Sequence, residues 1–329
     1  DAVVGNPPYQ VMDGGAQASA TPVYNLFVEG VKKLSPNYIS MIMPARWFAG
    51  GKGLDSFRTN MINDERISIL HDYLDAVDCF GSSCEIKGGI CYFLWDKSHN
   101  GECKIFTHQD GQITAQQSRT LAEGGGDVFI RYAEGVSVVR KIQPQSINSF
   151  EKCVSSQKPF GLRTFIHGSP TAFSGAVKLY ERGGVGYIDK KIITKNDEWL
   201  NQYKVYISAA YNAGDSYPHQ ILGKPILGEP NSCCTETYVV IGPFPSREIA
   251  DSVMSYIKTR FFRFLVMLKK SSQHAAAVVY SFVPLQDFTD KSDIDWSKPI
   301  PEIDQQLYKK YKLTDEEISF IESMIKPME

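Results

Sequence analysis

Asp1-Ala2-Val3-Val4-Gly5-Asn6-Pro7-Pro8-Tyr9-Gln10 is the stretch whose reading decides the fold. Ala2-Val3-Val4 is a short apolar run of the kind that forms a buried strand. Asn6-Pro7-Pro8-Tyr9 then reads as a rigid strand end suited to holding a flat, amine-bearing ring. Asn6 offers a side-chain carbonyl acceptor. Pro7 and Pro8 fix their own φ and supply no N–H, so their carbonyls are held in place and no donor competes nearby. Tyr9 offers an aromatic face for stacking.

Outward from this stretch, Gln10 to Ala20 is small and polar and predicts a loop. Thr21-Pro22 predicts a helix start, with Thr21 as N-cap and Pro22 at the first position. Val23, Leu26, Phe27, Val31 and Leu34 recur at helical spacing and predict its core face. Ile39 to Met43 is a continuous apolar run, as in a parallel sheet covered on both faces. Ligands bind beyond the carboxyl ends of such strands, and Pro44 to Gly53 sits there. Arg46 and Lys52 in that loop are candidate phosphate contacts; the plainer alternative is a glycine-rich loop with solvated charges.

Ile67 to Leu70 and the aromatic run Lys87 to Asp96 predict further strands, with Lys104 to Thr107 as the hairpin partner of the latter. Phe80 precedes a small polar loop. Glu85-Ile86-Lys87 matches half of a nuclease site, but no suitably placed Asp accompanies it. Gln109 to Gly126 reads as loop or linker. Val128 to Ile142 closes a first domain, residues 1–145, and residues 146–329 form a second.

The second domain reads as α+β. Lys190 to Lys195 and Tyr203 to Ser208 predict strands. Tyr211 to Ile221 predicts an irregular loop rich in donors and acceptors, suited to reading base edges. Thr235 to Ile241 predicts another strand. Ser246-Arg247-Glu248 opens a long helix with Ile249, Val253, Ile257, Phe261, Phe264 and Leu268 on one face. Between Asp251 and Asp287 there is no carboxylate, while Lys258, Arg260, Arg263, Lys269 and Lys270 fall there. A solvated helix face is the usual account of such charges, and by spacing Arg260 also suits burial against a partner carboxylate. Thr314-Asp-Glu-Glu317 predicts a capping box for a last amphipathic helix.

The chain has 329 residues, enough for two sizeable cores. Hydrophobic residues make up 43% and charged residues 22%, as in an ordinary globular protein. The net charge of −2 is not that of a generic nucleic-acid binder, though local patches weigh more than totals. Seven cysteines at irregular spacing argue against a disulfide framework and show no metal-site pattern. Reduced thiols, no signal peptide and no apolar run long enough to span a bilayer predict a cytoplasmic protein.

Asn6-Pro7-Pro8-Tyr9 after a hydrophobic strand resembles the catalytic motif of the amino-methyltransferases, best known from adenine-N6 DNA methyltransferases of type II and type IIG restriction–modification systems. Thr21 to Leu34 resembles the helix after that motif, and Tyr38 to Phe48 the next strand and its end. Thr235 to Gly242 and Phe282 to Phe288 resemble the recognition region of the same enzymes. The resemblance implies an α/β fold: the C-terminal half of a Rossmann-like class I methyltransferase sheet, followed by an α+β target-recognition domain.

It further implies transfer of a methyl group from S-adenosylmethionine to a flipped adenine in double-stranded DNA. Asn6, Pro7 and Tyr9 would be catalytic, Pro8 and Phe80 would line the target-base pocket, and Phe27 would approach the cofactor. Arg46, Lys52, Lys258, Arg260, Arg263 and Lys270 would contact DNA. The family's Phe-x-Gly-x-Gly cofactor loop is missing from the sequence, as is its ribose-binding acidic residue. With no initiator Met, that predicts a fragment, inactive alone, whose N-terminal part, with or without a nuclease, lies elsewhere. Competing readings are a non-catalytic DNA-specificity module, an RNA or protein-glutamine N-methyltransferase, and a cytosine-N4 methyltransferase, in which Ser usually replaces Asn6.

Overall fold

The computed structural model describes residues 1–12, 20–51, 53–81, 86–124, 126–211, 217–270 and 272–328. The chain divides into two compact units, Asp1–Ser137 and Val138–Glu329. Among the described residues no helix is long and apolar enough to cross a membrane.

The first unit contains β1 (Ala2–Gly5), β2 (Gln10–Met12), β3 (Ala20–Pro22), α1 (Tyr24–Lys33), β4 (Tyr38–Pro44), α2 (Asp55–Ile62), β5 (Ile67–Tyr73) and α3 (Val77–Phe80). These are followed by β6 (Ile90–Asp96), β7 (Cys103–Gln109), β8 (Gln112–Arg119) and the start of α4 (Ala133–Ile142). Six strands form one mixed sheet in the order β1-β4-β6-β5-β7-β8. β1 lies parallel to β4, with Gly5 opposite Met41, and β6 runs antiparallel between β4 and β5. Alternation puts Ile39, Met41, Met43, Leu70, Phe93, Trp95 and Ile105 into one core with Trp47 and Phe57. The architecture is therefore mixed α/β with parallel and antiparallel pairs.

Four local expectations change here. Thr21 and Pro22 end strand β3, paired to β2, and the helix begins only at Tyr24 with no side-chain cap. Its buried positions are Tyr24 and Val28, with Val31 against the same core, whereas Leu26, Phe27 and Leu34 are exposed. β7 does not form a hairpin with β6, because both edges of β6 are already paired; it lies parallel to β5 instead. The polar stretch read as a linker contains β8, an edge strand whose polar residues need no core.

The second unit begins within α4 and contains β9 (Ala176–Glu181), β10 (Gly184–Asp189), β11 (Tyr203–Ser208), β12 (Ile226–Gly228), β13 (Ser232–Cys234) and β14 (Tyr238–Phe244). The helices α5 (Arg247–Lys258), α6 (Arg260–Lys269), α7 (Ile300–Lys310) and α8 (Asp315–Met324) follow. Two three-stranded sheets form, β10-β9-β13 and β12-β11-β14. Lys190 to Ile192 is a 3-10 turn rather than a strand.

The single long helix expected after Ser246 is two helices. Thr259 leaves helical geometry (φ −64°, ψ 150°) and its hydroxyl accepts the Phe262 amide. Buried Asp304 accepts the Arg260 and Phe261 amides at 3.0 and 2.9 Å, so the new helix start is satisfied from a distant segment. The Thr314–Glu317 capping box is present in full.

Candidate active site

Strand direction collects one end of the first sheet. β1 and β4 are parallel, so Asn6 and the residues after Pro44 leave the sheet on the same side. β6 is antiparallel to both β4 and β5, so its N-terminal end and the C-terminal end of β5 meet there too. That end therefore gathers Asn6 to Tyr9, Arg46, α3 with Phe80, and Lys87 to Gly89.

Pro7 is buried, Asn6 and Pro8 are exposed, and Tyr9 is half-buried. The Tyr9 carbonyl accepts the Val23 amide at 3.1 Å, and Gln10 pairs with Pro22. The motif is thus held between the end of β1 and the β2–β3 ribbon, while the Asn6 amide faces solvent. One strand over, the Ala45 amide donates to the Gly89 carbonyl at 3.0 Å. Trp47 is buried, donates to Cys91 Sγ at 3.3 Å and packs edge-on against Phe48 and Phe57. Arg46 between them is exposed, and Phe80 is half-buried. Lys52 lies outside the described residues, as does Glu85.

The sequence reading missed the ion pair that braces this end. Asp72 is fully buried, and Arg131 donates to both its oxygens, at 2.8 and 2.5 Å. The same guanidinium donates to the Gly88 and Tyr73 carbonyls at 2.8 and 3.1 Å. Burial works against the Arg131 charge, but Asp72 outweighs it and holds the guanidinium above its usual range. The signal was available: Asp72 falls on the buried side of β5 with Ile67 and Leu70, and a buried carboxylate needs a cation. Gly89 is required beside it, because it has φ +78° and a Cβ there would lie 2.1 Å from the Tyr73 carbonyl oxygen.

On the other face of the sheet His71 stacks on Tyr92 and Phe106 at 4.4 and 4.6 Å, and His108 stacks on Tyr73 at 4.1 Å. His71 Nδ1 and His108 Nε2 are 2.8 Å apart. Burial, then the neighbouring His108, pulls His71 down to about 4, so it is neutral at pH 7. Among the described residues no cluster of three or more His, Cys, Asp or Glu could hold a metal.

The basic residues of the second unit are placed differently from expectation. Arg263 is fully buried and donates to the carbonyls of Thr259, Gln220 and Lys258 at 3.2, 3.2 and 2.9 Å. Its guanidinium is spent inside the protein and leaves the set of DNA contacts. Arg260 lies 3.4 Å from Glu322 with a quarter of its side chain exposed, the buried-edge alternative foreseen for it. Lys270 donates to the Tyr211 carbonyl at 3.1 Å and Lys258 is half-buried. Phe27, read as core, is 46% exposed. Residues 212–216 of the predicted base-reading loop lie outside the described residues.

Residues 1–80 match the Eco57I restriction-modification methylase family. The matched segment runs from β1 through α3 and contains Asn6 to Tyr9. An "Uncharacterized adenine-specific methylase" of Mycoplasma pneumoniae is 34% identical over 110 residues, covering 32% of this chain and 26% of that protein. The chain thus spans about a quarter of the curated relative it matches. Among solved structures, the type IIL restriction-modification enzyme MmeI, determined in complex with DNA, aligns with 97% of this chain and 56% of its own at TM-score 0.52 and 10% identity. That is a likeness of fold. The methylase match bears out the resemblance to adenine-specific methyltransferases of restriction–modification systems drawn from Asn6 to Tyr9.

Proposed function

We propose that this chain supplies the target-base side of a site-specific DNA methyltransferase that acts on adenine N6. The observation that carries the proposal is Asn6-Pro7-Pro8-Tyr9 at the carboxyl end of a parallel strand, with Pro7 buried, Asn6 open to solvent and the Tyr9 carbonyl tied to Val23. The methylase match over residues 1–80 supports it. The first unit is read as the C-terminal half of a Rossmann-like methyltransferase sheet and the second as a target-recognition domain.

Adenine N6 inside a duplex is out of reach, so the base is flipped out at an unstacking cost of a few kcal/mol. The Asn6 side-chain oxygen and the Pro7 carbonyl accept the two N6 hydrogens. Two fixed acceptors favour a pyramidal nitrogen, whose lone pair is otherwise delocalised into the ring, and stabilise the positive charge that develops on it. Tyr9 stacks on the base and holds it in line, and Pro8 and Phe80 close the pocket around it. Arg46 is exposed at the same sheet end and would contact a phosphate.

S-adenosylmethionine, the donor used by the resembled family, supplies a sulfonium methyl group when bound. The residues present do not make a complete site for it, because the sequence holds no Phe-x-Gly-x-Gly loop. What the chain offers instead is an unfinished edge. Among the described residues β1 pairs only with β4, and its Val4 is 79% exposed; Phe27 in α1 and Leu34 just after it are 46% and 76% exposed. We place the donor half of the active site against this edge, supplied by sequence beyond these residues, with Phe27 facing the cofactor.

The test is Asn6→Ala in the enzyme that carries this sequence. N6-methyladenine formation should be lost while duplex affinity stays within about twofold, because Asn6 acts on the flipped base and not on the backbone. Retained methylation would refute the role given to Asn6.

A further inference from the structure

We propose that DNA is gripped and read by the lobe built on β9 and β10, not by the basic helices α5 and α6. This rests on the methyltransferase reading and names the surface through which it meets its substrate. Residues 156–195 hold seven Lys or Arg and two acids, a net +5 in a chain whose total is −2. Both acids are engaged: Glu181 is buried, and Asp189 accepts the Lys191 amide at 2.9 Å. Arg163, Arg182, Lys190, Lys191 and Lys195 are all exposed; Arg163 lies 3.9 Å from Glu236 and Lys190 3.6 Å from Asp197, surface pairs that a phosphate can displace. The α5 and α6 cations are less exposed: Arg263 is fully buried, Arg260 keeps a quarter of its side chain in solvent against more than half for Arg163 and Lys190, and Lys270 donates to the Tyr211 carbonyl.

The charge is arranged along a ribbon. Ser169 is bridged to Tyr187 in β10, with both amide bonds made, at 2.8 and 2.9 Å. Gly168 sits so close to β10 that a Cβ would lie 2.4 Å from the Tyr187 nitrogen. Beside it His167 donates to Glu181 at 2.6 Å, and Glu181 also accepts the Gly168 amide at 3.0 Å. The exposed stretch 163–175 is therefore fastened to the β9–β10 hairpin rather than hanging free. It carries two solvent-facing aromatic rings, Phe165 and Phe173, at 69% and 47% exposure.

Arg182 lies at the hairpin turn and Lys190, Lys191 and Lys195 follow the far end of β10. Six strand residues separate the two basic ends, about 20 Å at strand rise. The major groove is about 12 Å wide and admits a two-stranded ribbon. The basic ends then fall on phosphates at either side, and Phe165, His167 and Phe173 meet base edges and thymine methyl groups between them.

The experiment measures binding of the 329-residue chain to a pool of short duplexes with a randomised core. Lys190→Ala/Lys191→Ala/Lys195→Ala should weaken binding on the order of 100-fold at about 0.15 M salt and flatten the salt slope by about 2.7, three phosphate contacts at about 0.9 each. Lys291→Ala/Lys298→Ala, equally exposed on another part of the unit, should change neither. Phe165→Ala/Phe173→Ala should keep the salt slope but change which sequences are enriched. Wild-type binding with an unaffected lysine triple variant overturns this placement and leaves the methyltransferase reading standing. Unchanged enrichment by the Phe165/Phe173 variant overturns the base-reading role. Failure of the wild type to bind any duplex, or a preference for single-stranded RNA, overturns both. Unchanged melting temperatures of all three variants show that the fold is intact.

Discussion

Arg131→Met tests the account of how the strand-end site is braced. The substitution keeps an unbranched chain of similar length against Phe48, over whose ring the guanidinium sits at 5.5 Å. It removes four donated hydrogen bonds, two to Asp72 and one each to the Gly88 and Tyr73 carbonyls. The Asp72 side chain is 0% exposed and that of Arg131 is 21% exposed. Breaking a buried pair from one side leaves an uncompensated charge and costs about 3–5 kcal/mol. Water entering through the exposed fifth of the arginine site relieves part of this, so the low end, about 3 kcal/mol, is expected. Arg131→Met/Asp72→Leu removes the stranded carboxylate and should recover most of the loss, giving a coupling of at least about 1 kcal/mol. Because the chain has two units, the readout should be local: urea-dependent hydrogen exchange of the β5 and β6 amides. A single-variant cost below about 1 kcal/mol, or a double variant no more stable than the single, would show that the pair does not hold this strand end.

Two further outcomes follow from the first unit. Gly89→Ala should cost at least about 2 kcal/mol in thermal unfolding, because the added Cβ meets a backbone oxygen. Gly111→Ala, also at positive φ but with open space around it, should cost only about 1 kcal/mol, and equal costs would discount the contact. Asp64 links stability to acid. Burial pushes its carboxyl up, but hydrogen bonds from Arg66, Lys32 and Trp95 outweigh this and hold it at about 2, below its ordinary 3.8. A depressed folded value means stability that is complete above about pH 4 and lost as pH falls towards 2, roughly 1–2 kcal/mol after solvent screening. Asp64→Asn should flatten the melting temperature over that range, and an unchanged acid slope would contradict the assignment.

What the sequence determined by itself was local. Ala2 to Tyr9 specified a strand and a rigid end because proline geometry and apolar runs act on neighbouring residues, but the strand is not buried as expected: none of Ala2–Gly5 is buried and Val4 is 79% exposed. The Ser246 cap and the Thr314–Glu317 box were legible for the same reason, since each cap closes within three residues. What only the tertiary structure decided was partnership across the chain. Thr21-Pro22 looked like a helix start, but pairing with Gln10 and Val11 took it into a strand. The basic run Lys258 to Lys270 looked like an open face, but the carbonyls of Lys258, Thr259 and Gln220 captured Arg263, and Asp304 captured the amides that split the helix. Asp72 and Arg131 are 59 residues apart and meet only because β5 ends beside Gly88. Residues 156–195 had ordinary local patterns, and the pairing of β9 with β10 put Arg182 at one end of a ribbon and Lys190 and Lys191 at the other. Hydrogen-bond donors and charges are promiscuous in sequence, and folding decides which acceptor each one reaches.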